Sequence, residues 1–118
     1  MDIDKELQEN GYCIIPNILS NEEVEEATQL FYKWQANIPN HDKMHNMIGP
    51  HGIYKYYNIG HQQHAWFIRT RPSVINIFKK LWNTDELVVS FDGSCYIPKY
   101  CSKVDNIWTH TDQAPNSK

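Results

Sequence analysis

The sequence predicts an α+β domain, and three observations carry that expectation. Up to residue 84 apolar side chains recur mainly at helical spacing, from Glu86 they give way to β-prone runs, and Asn, Gly and Pro gather between. A chain of 118 residues has room for one small domain. Residues 1–84 are therefore read as its mainly helical region and 85–118 as its strands. Four Trp, seven Tyr and four Phe set the chain apart from disordered sequences and supply material for a core.

The elements follow in order. Asp2 to Asn10 suits a short helix closed by Asn10-Gly11, and Tyr12-Cys13-Ile14-Ile15-Pro16 reads as a short buried strand stopped by proline. Ser20 and Glu23 have the spacing of a capping box. Val24, Ala27, Leu30, Phe31 and Trp34 then form one apolar face of a helix expected to end before Pro39. Residues 39–64 are rich in Asn, His, Gly and Pro and are expected to be irregular, a candidate mouth for a substrate. A third helix should start at Arg71-Pro72-Ser73 and bury Val74, Ile75, Phe78, Leu81 and Trp82. Leu87 to Phe91 and Ser94 to Ile97, separated by Asp92-Gly93, form either a hairpin or one bulged strand, and a last strand runs from Asn106 to Thr109.

The net charge of −3 is dispersed, so no basic patch suggests nucleic acid or anionic lipid. Three cysteines without C-x-x-C spacing read as buried, reduced thiols. No apolar run approaches the roughly 20 residues of a membrane span, and the acidic start lacks a secretory h-region. A soluble, cytoplasmic protein is the expectation.

Chemistry concentrates at His110-Thr111-Asp112. Alternate residues of a strand point to one side, so His110 and Asp112 would converge on one metal ion. With a second histidine such a pair makes the facial triad of non-haem iron oxygenases. Six histidines and seven aspartates give an H-x-D by chance in about one such chain in three, so the tripeptide draws its weight from context. His41 and His45 stand at the i, i+4 spacing of a zinc motif, with Asp42 in the position of its general base. Pro39 and Gly49-Pro50 leave that segment scarcely two helical turns, which favours a solvated loop. His61 and His64 would share a helix face, but no Cys or carboxylate accompanies them.

The context is the run Glu9-Asn10-Gly11-Tyr12-Cys13-Ile14-Ile15-Pro16-Asn17-Ile18-Leu19-Ser20 followed by a helix, then Arg71-Pro72-Ser73-Val74, then β segments leading to H-x-D. In that order the pieces resemble the N-terminal portion of the phytanoyl-CoA dioxygenase family, within the Fe(II)/2-oxoglutarate-dependent oxygenases. The resemblance covers nearly the whole chain. It implies helices packed on the first strands of a double-stranded β-helix, or jelly roll, with Fe(II) and 2-oxoglutarate as cofactors and a small organic molecule as the substrate hydroxylated. It assigns His110 and Asp112 as iron ligands and places Thr111 beside 2-oxoglutarate. Thr111 stands where Gln is common in that family, and Trp108 lies two residues before His110 rather than next to it.

The same resemblance places a distal histidine and a basic 2-oxoglutarate anchor on later strands. An eight-stranded jelly roll takes roughly 80–100 residues, whereas 33 run from Glu86 to Lys118. The chain is therefore expected to be an incomplete domain, inactive alone, with a separately encoded C-terminal half or a second copy meeting an exposed sheet edge. Two other readings stand beside it: a catalytically silent remnant or interaction module, and a zinc-binding protein acting through His41 and His45.

Overall fold

The computed structural model describes residues 1–41, 43, 52–90, 93–97 and 109–111. Helix α1 spans Ile3–Asn10. Asp2 caps it by accepting from the Lys5 backbone N–H at 3.2 Å, and Gly11 ends it at φ 76°, donating its N–H to the Leu7 carbonyl. The Gly11 end is the one the sequence predicts, and the helix starts one residue later than expected, with Asp2 as its cap. A β-carbon at Gly11 would meet nothing within 4 Å, so Gly11→Ala should cost only the left-handed backbone penalty, about 1 kcal/mol.

The run from Tyr12 to Pro16 forms no strand, and Tyr12 and Ile14 are 64% and 75% exposed. Extended backbone becomes a strand only beside a hydrogen-bonding neighbour. Among the described residues the sheet lies elsewhere and leaves this run unpaired.

Helix α2, Asn21–Gln35, begins with the predicted capping box. The Ser20 hydroxyl accepts from the Glu23 N–H at 3.2 Å, while the Glu23 carboxylate accepts from the Ser20 N–H at 3.0 Å. Ser20→Ala is expected to lower stability by about 1 kcal/mol, read as a shift of the urea midpoint; an unchanged midpoint would show that the box is idle. The helix stops before Pro39 is reached. The Asn37 side-chain amide donates to the Lys33 carbonyl, and the N–H groups of Asn37 and Ile38 take the carbonyls of Trp34 and Gln35. This tight exit turns Ile38 into the core.

Strand β1, Ile53–Tyr54, pairs antiparallel with β2, Ser94–Cys95, in the register Ile53 to Cys95 and Tyr54 to Ser94. Ser94 and Cys95 thus find their partners about forty residues upstream. Leu87 to Ser90 is irregular, with Val88 96% exposed; Phe91 and Asp92 lie outside the described residues, as do Asn106 to Trp108. Gly93 is required by close approach, because a β-carbon there would lie 2.7 Å from the Tyr54 carbonyl oxygen. Gly93→Ala should push β2 from β1 at about 1–3 kcal/mol, measurable against the smaller loss of Gly11→Ala.

A 3₁₀ turn at Ile59–His61 leads into α3, Gln63–Arg69, inside and beyond the stretch expected to be irregular. Nothing in the sequence marks its start, since Gln62 makes no side-chain cap bond. Helix α4, Pro72–Trp82, starts at the predicted proline and ends at Asn83 in the left-handed region, φ 49°. None of its residues is fully buried, and Phe78 and Trp82 are 50% and 67% exposed, contrary to the burial expected of them. Arg71 ties its start to the earlier helices: Nε donates to the Phe67 carbonyl at 2.9 Å, the guanidinium lies 4.0 Å from the Phe67 ring centroid, and Nη1 is 3.8 Å from Glu23.

Ile38, Tyr54 and Ile59 form the core, with Phe31, Trp34 and Tyr96 packed against them. The molecule is thus mixed helix with a small two-stranded antiparallel sheet, consistent with the α+β class.

Candidate functional site

The inner face of α2 organises the best-formed region. Phe31 and Trp34 lie one turn apart on α2, as the helical spacing predicts, and meet residues from three directions. Trp34 packs edge-on to Tyr54 of β1 at 6.0 Å between centroids, Phe31 packs on Tyr96 beyond β2 at 5.8 Å, and both rings meet His64 of α3. Gln35 donates to the Tyr96 hydroxyl at 3.2 Å. The Tyr57 carbonyl accepts from both Trp34 Nε1 and the Gln62 amide. These bonds hold a turn in which Tyr57 and Asn58 both have positive φ, 52° and 53°, a backbone region that a bulky Tyr seldom occupies. Burial, and secondarily the neighbouring Tyr57 and Tyr56, push the Tyr54 phenol above its ordinary pKa.

On the outer side of Trp34 a groove of about 280 Å³ runs between α2 and the start of α3. Leu30 and Trp34 supply apolar wall, while Lys33, Asn37, Gln62 and Gln63 supply polar rim. Gln62 and Gln63 close the stretch named as a candidate substrate mouth.

The sequence candidates fall as follows. His110 and Thr111 are exposed and outside any assigned strand, and Asp112 lies outside the described residues. Among the described residues no three His, Cys, Asp or Glu side chains converge to hold a metal. One exposed imidazole is too few donors for ferrous iron, so the described residues do not by themselves fit that metal. His41 is exposed, and its partner His45 lies outside the described residues.

His61 and His64 do not share a helix face. His61 ends the 3₁₀ turn, where its Nδ1 accepts from Trp66 Nε1 at 3.1 Å, whereas His64 is in α3 and only 7% exposed. Between them Gln62 is extended, at φ −83° and ψ 162°, so the two histidines do not belong to one continuous helix. Cys13 and Cys95 are free thiols, half-buried and exposed respectively rather than buried; Cys101 lies outside the described residues.

The residue that sequence reasoning missed is His64 as a core group. It packs against Phe31 and Trp34, 33 and 30 positions upstream, which no local period reveals.

The chain is similar to the Ava biosynthesis cluster protein O of Aspergillus versicolor. Identity is 31% over 123 aligned positions, covering 96% of this chain and 40% of the relative. The chain thus spans well under half the length of that protein. No family model matches the chain, and no solved structure matches it. Among the described residues, no helix is long and apolar enough to cross a membrane.

Proposed function

We propose that this chain is part of a non-haem Fe(II)/2-oxoglutarate-dependent dioxygenase of the phytanoyl-CoA dioxygenase kind, acting on a small organic substrate. His110 and Asp112 are two of its iron ligands and Thr111 lies beside the co-substrate. The observation that carries this reading is the H-T-D motif in its order of elements. The Ser20-capped α2 and the proline-started α4 form at the positions from which the resemblance was drawn. The relative's name places it in a biosynthesis cluster, and its greater length leaves room for a jelly roll with a distal histidine and a basic anchor.

The test is succinate formation from 2-oxoglutarate in the presence of ferrous iron and oxygen. Little is expected from the 118 residues alone, and iron-dependent turnover is expected once a downstream segment is joined or co-expressed. Turnover that persists when iron is chelated would refute the assignment.

A second reading, an interaction module, is favoured by the exposure of Leu87, Val88 and Val89 at 37%, 96% and 44%, since a β-prone run with no strand partner among the described residues offers an edge to another chain. A monomeric mass by size exclusion, with Leu87 to Val89 unprotected from hydrogen exchange in a mixture with the downstream segment, would count against it.

A further inference from the structure

His64 is the least expected group in the core. Its ring lies 5.2 Å from Phe31, edge-on, and 5.6 Å from Trp34, tilted, so that the face of α2 and the inner side of α3 meet across it. Among the described residues neither ring nitrogen has a hydrogen-bond partner. A neutral imidazole tolerates this position at the expense of unmade hydrogen bonds, but an imidazolium there is a buried charge with no counter-charge.

The surroundings reinforce the point from each element packed against the ring. From α3 itself the nearby charge is Arg69, a cation, which donates to the Gly60 carbonyl and lies 5.5 Å from the Trp66 centroid. From α2, Lys33 is exposed and Glu23 is paired with Arg71 at the start of α4. From the sheet side, the phenols of Tyr54 and Tyr96 belong to rings that reach the cluster through Trp34 and Phe31.

We propose that His64 is an acid-sensitive latch between α2 and α3: its neutral ring holds the helices together, and its protonation loosens α3 from the aromatic face of α2. The reading is independent of the oxygenase assignment. Because Arg69 and the 3₁₀ turn are joined to α3, loosening would also disturb Ile59 and the groove beside Trp34. Burial first, and Arg69 second, hold the His64 pKa below that of an ordinary imidazole. The open state therefore takes up the proton first as pH falls. The closed state keeps its full advantage above pH of about 6.5, the ordinary imidazole value, and loses it progressively between there and the lower pKa of the closed form. Within that window the open population rises about tenfold per pH unit.

The experiment is an NMR titration of the histidine rings in the 118-residue chain, with amide hydrogen exchange of residues 63–69 followed over the same pH range. His64 is expected to titrate below the ordinary imidazole value of about 6.5, with exchange in α3 accelerating as pH drops under that value. A His64→Phe variant, which keeps an aromatic ring without a titrating group, is expected to lose most of the acid dependence of α3 exchange. If His64 titrates at or above the ordinary imidazole value of about 6.5 and α3 exchange shows no acid dependence, the latch is refuted. It is refuted equally if His64→Phe folds and its α3 exchange responds to acid as steeply as the parent's. Should that variant fail to fold, the ring titration and exchange of the parent chain still decide.

Discussion

Tyr54→Ala is expected to remove about 3–5 kcal/mol of stability, a large share of what a small domain has. Tyr54 is 0% exposed and is one of two large side chains fully buried among the described residues, the other being Ile59. It packs on Trp34 and Tyr56, at 6.0 and 5.7 Å between centroids, and its backbone belongs to the β1–β2 pairing. Truncation removes the transfer free energy of the ring and leaves a hole that the short strand and helix exits cannot fill by collapse. A small domain has only about 5–15 kcal/mol in total. Urea denaturation followed by tryptophan fluorescence gives the result, with Val88→Ala, at a 96% exposed position, as a control expected within about 0.5 kcal/mol of the parent. A Tyr54→Ala loss no larger than that of the control would mean that Ile38, Tyr54 and Ile59 are not the core.

His110→Ala is expected to abolish the iron-dependent succinate formation proposed for the chain joined to its downstream segment. Removing an outer-shell partner of a metal ligand already lowers affinity or activity about 10–100-fold; removal of a ligand itself should exceed that, a loss of at least about a hundredfold. His110 is exposed, so the substitution is expected to spare the aromatic core and to leave the unfolding free energy within about 0.5 kcal/mol of the parent. The paired variant is His41→Ala, expected to retain both turnover and iron. If the His110 variant keeps its metal and the His41 variant loses zinc, the ranking of the two histidine motifs is reversed.

Local chemistry was legible where the answer lies within a few residues. The Ser20–Glu23 box, the Gly11 stop of α1, the proline start of α4, and the shared face of Phe31 and Trp34 all rest on local chemistry within a few positions. The errors share a different cause. Tyr12 to Pro16 and Leu87 to Ser90 have strand composition, but β structure depends on a partner that composition does not name. The end of α2 before Pro39 was as expected, and the Asn37 amide donates to the Lys33 carbonyl at that exit.

By itself, then, the sequence determined the positions of α1, α2 and α4, the aromatic face of α2 and the H-T-D motif on which the proposed chemistry rests. Only the tertiary structure decided that β2 pairs with β1, that α3 forms without a cap, and that His64 rather than His61 enters the core. The physical reason is range. Helix caps and helical faces are fixed by neighbours along the chain, whereas strand partners and buried polar groups depend on segments far apart in sequence, whose meeting must outweigh the entropy of closing the loop between them.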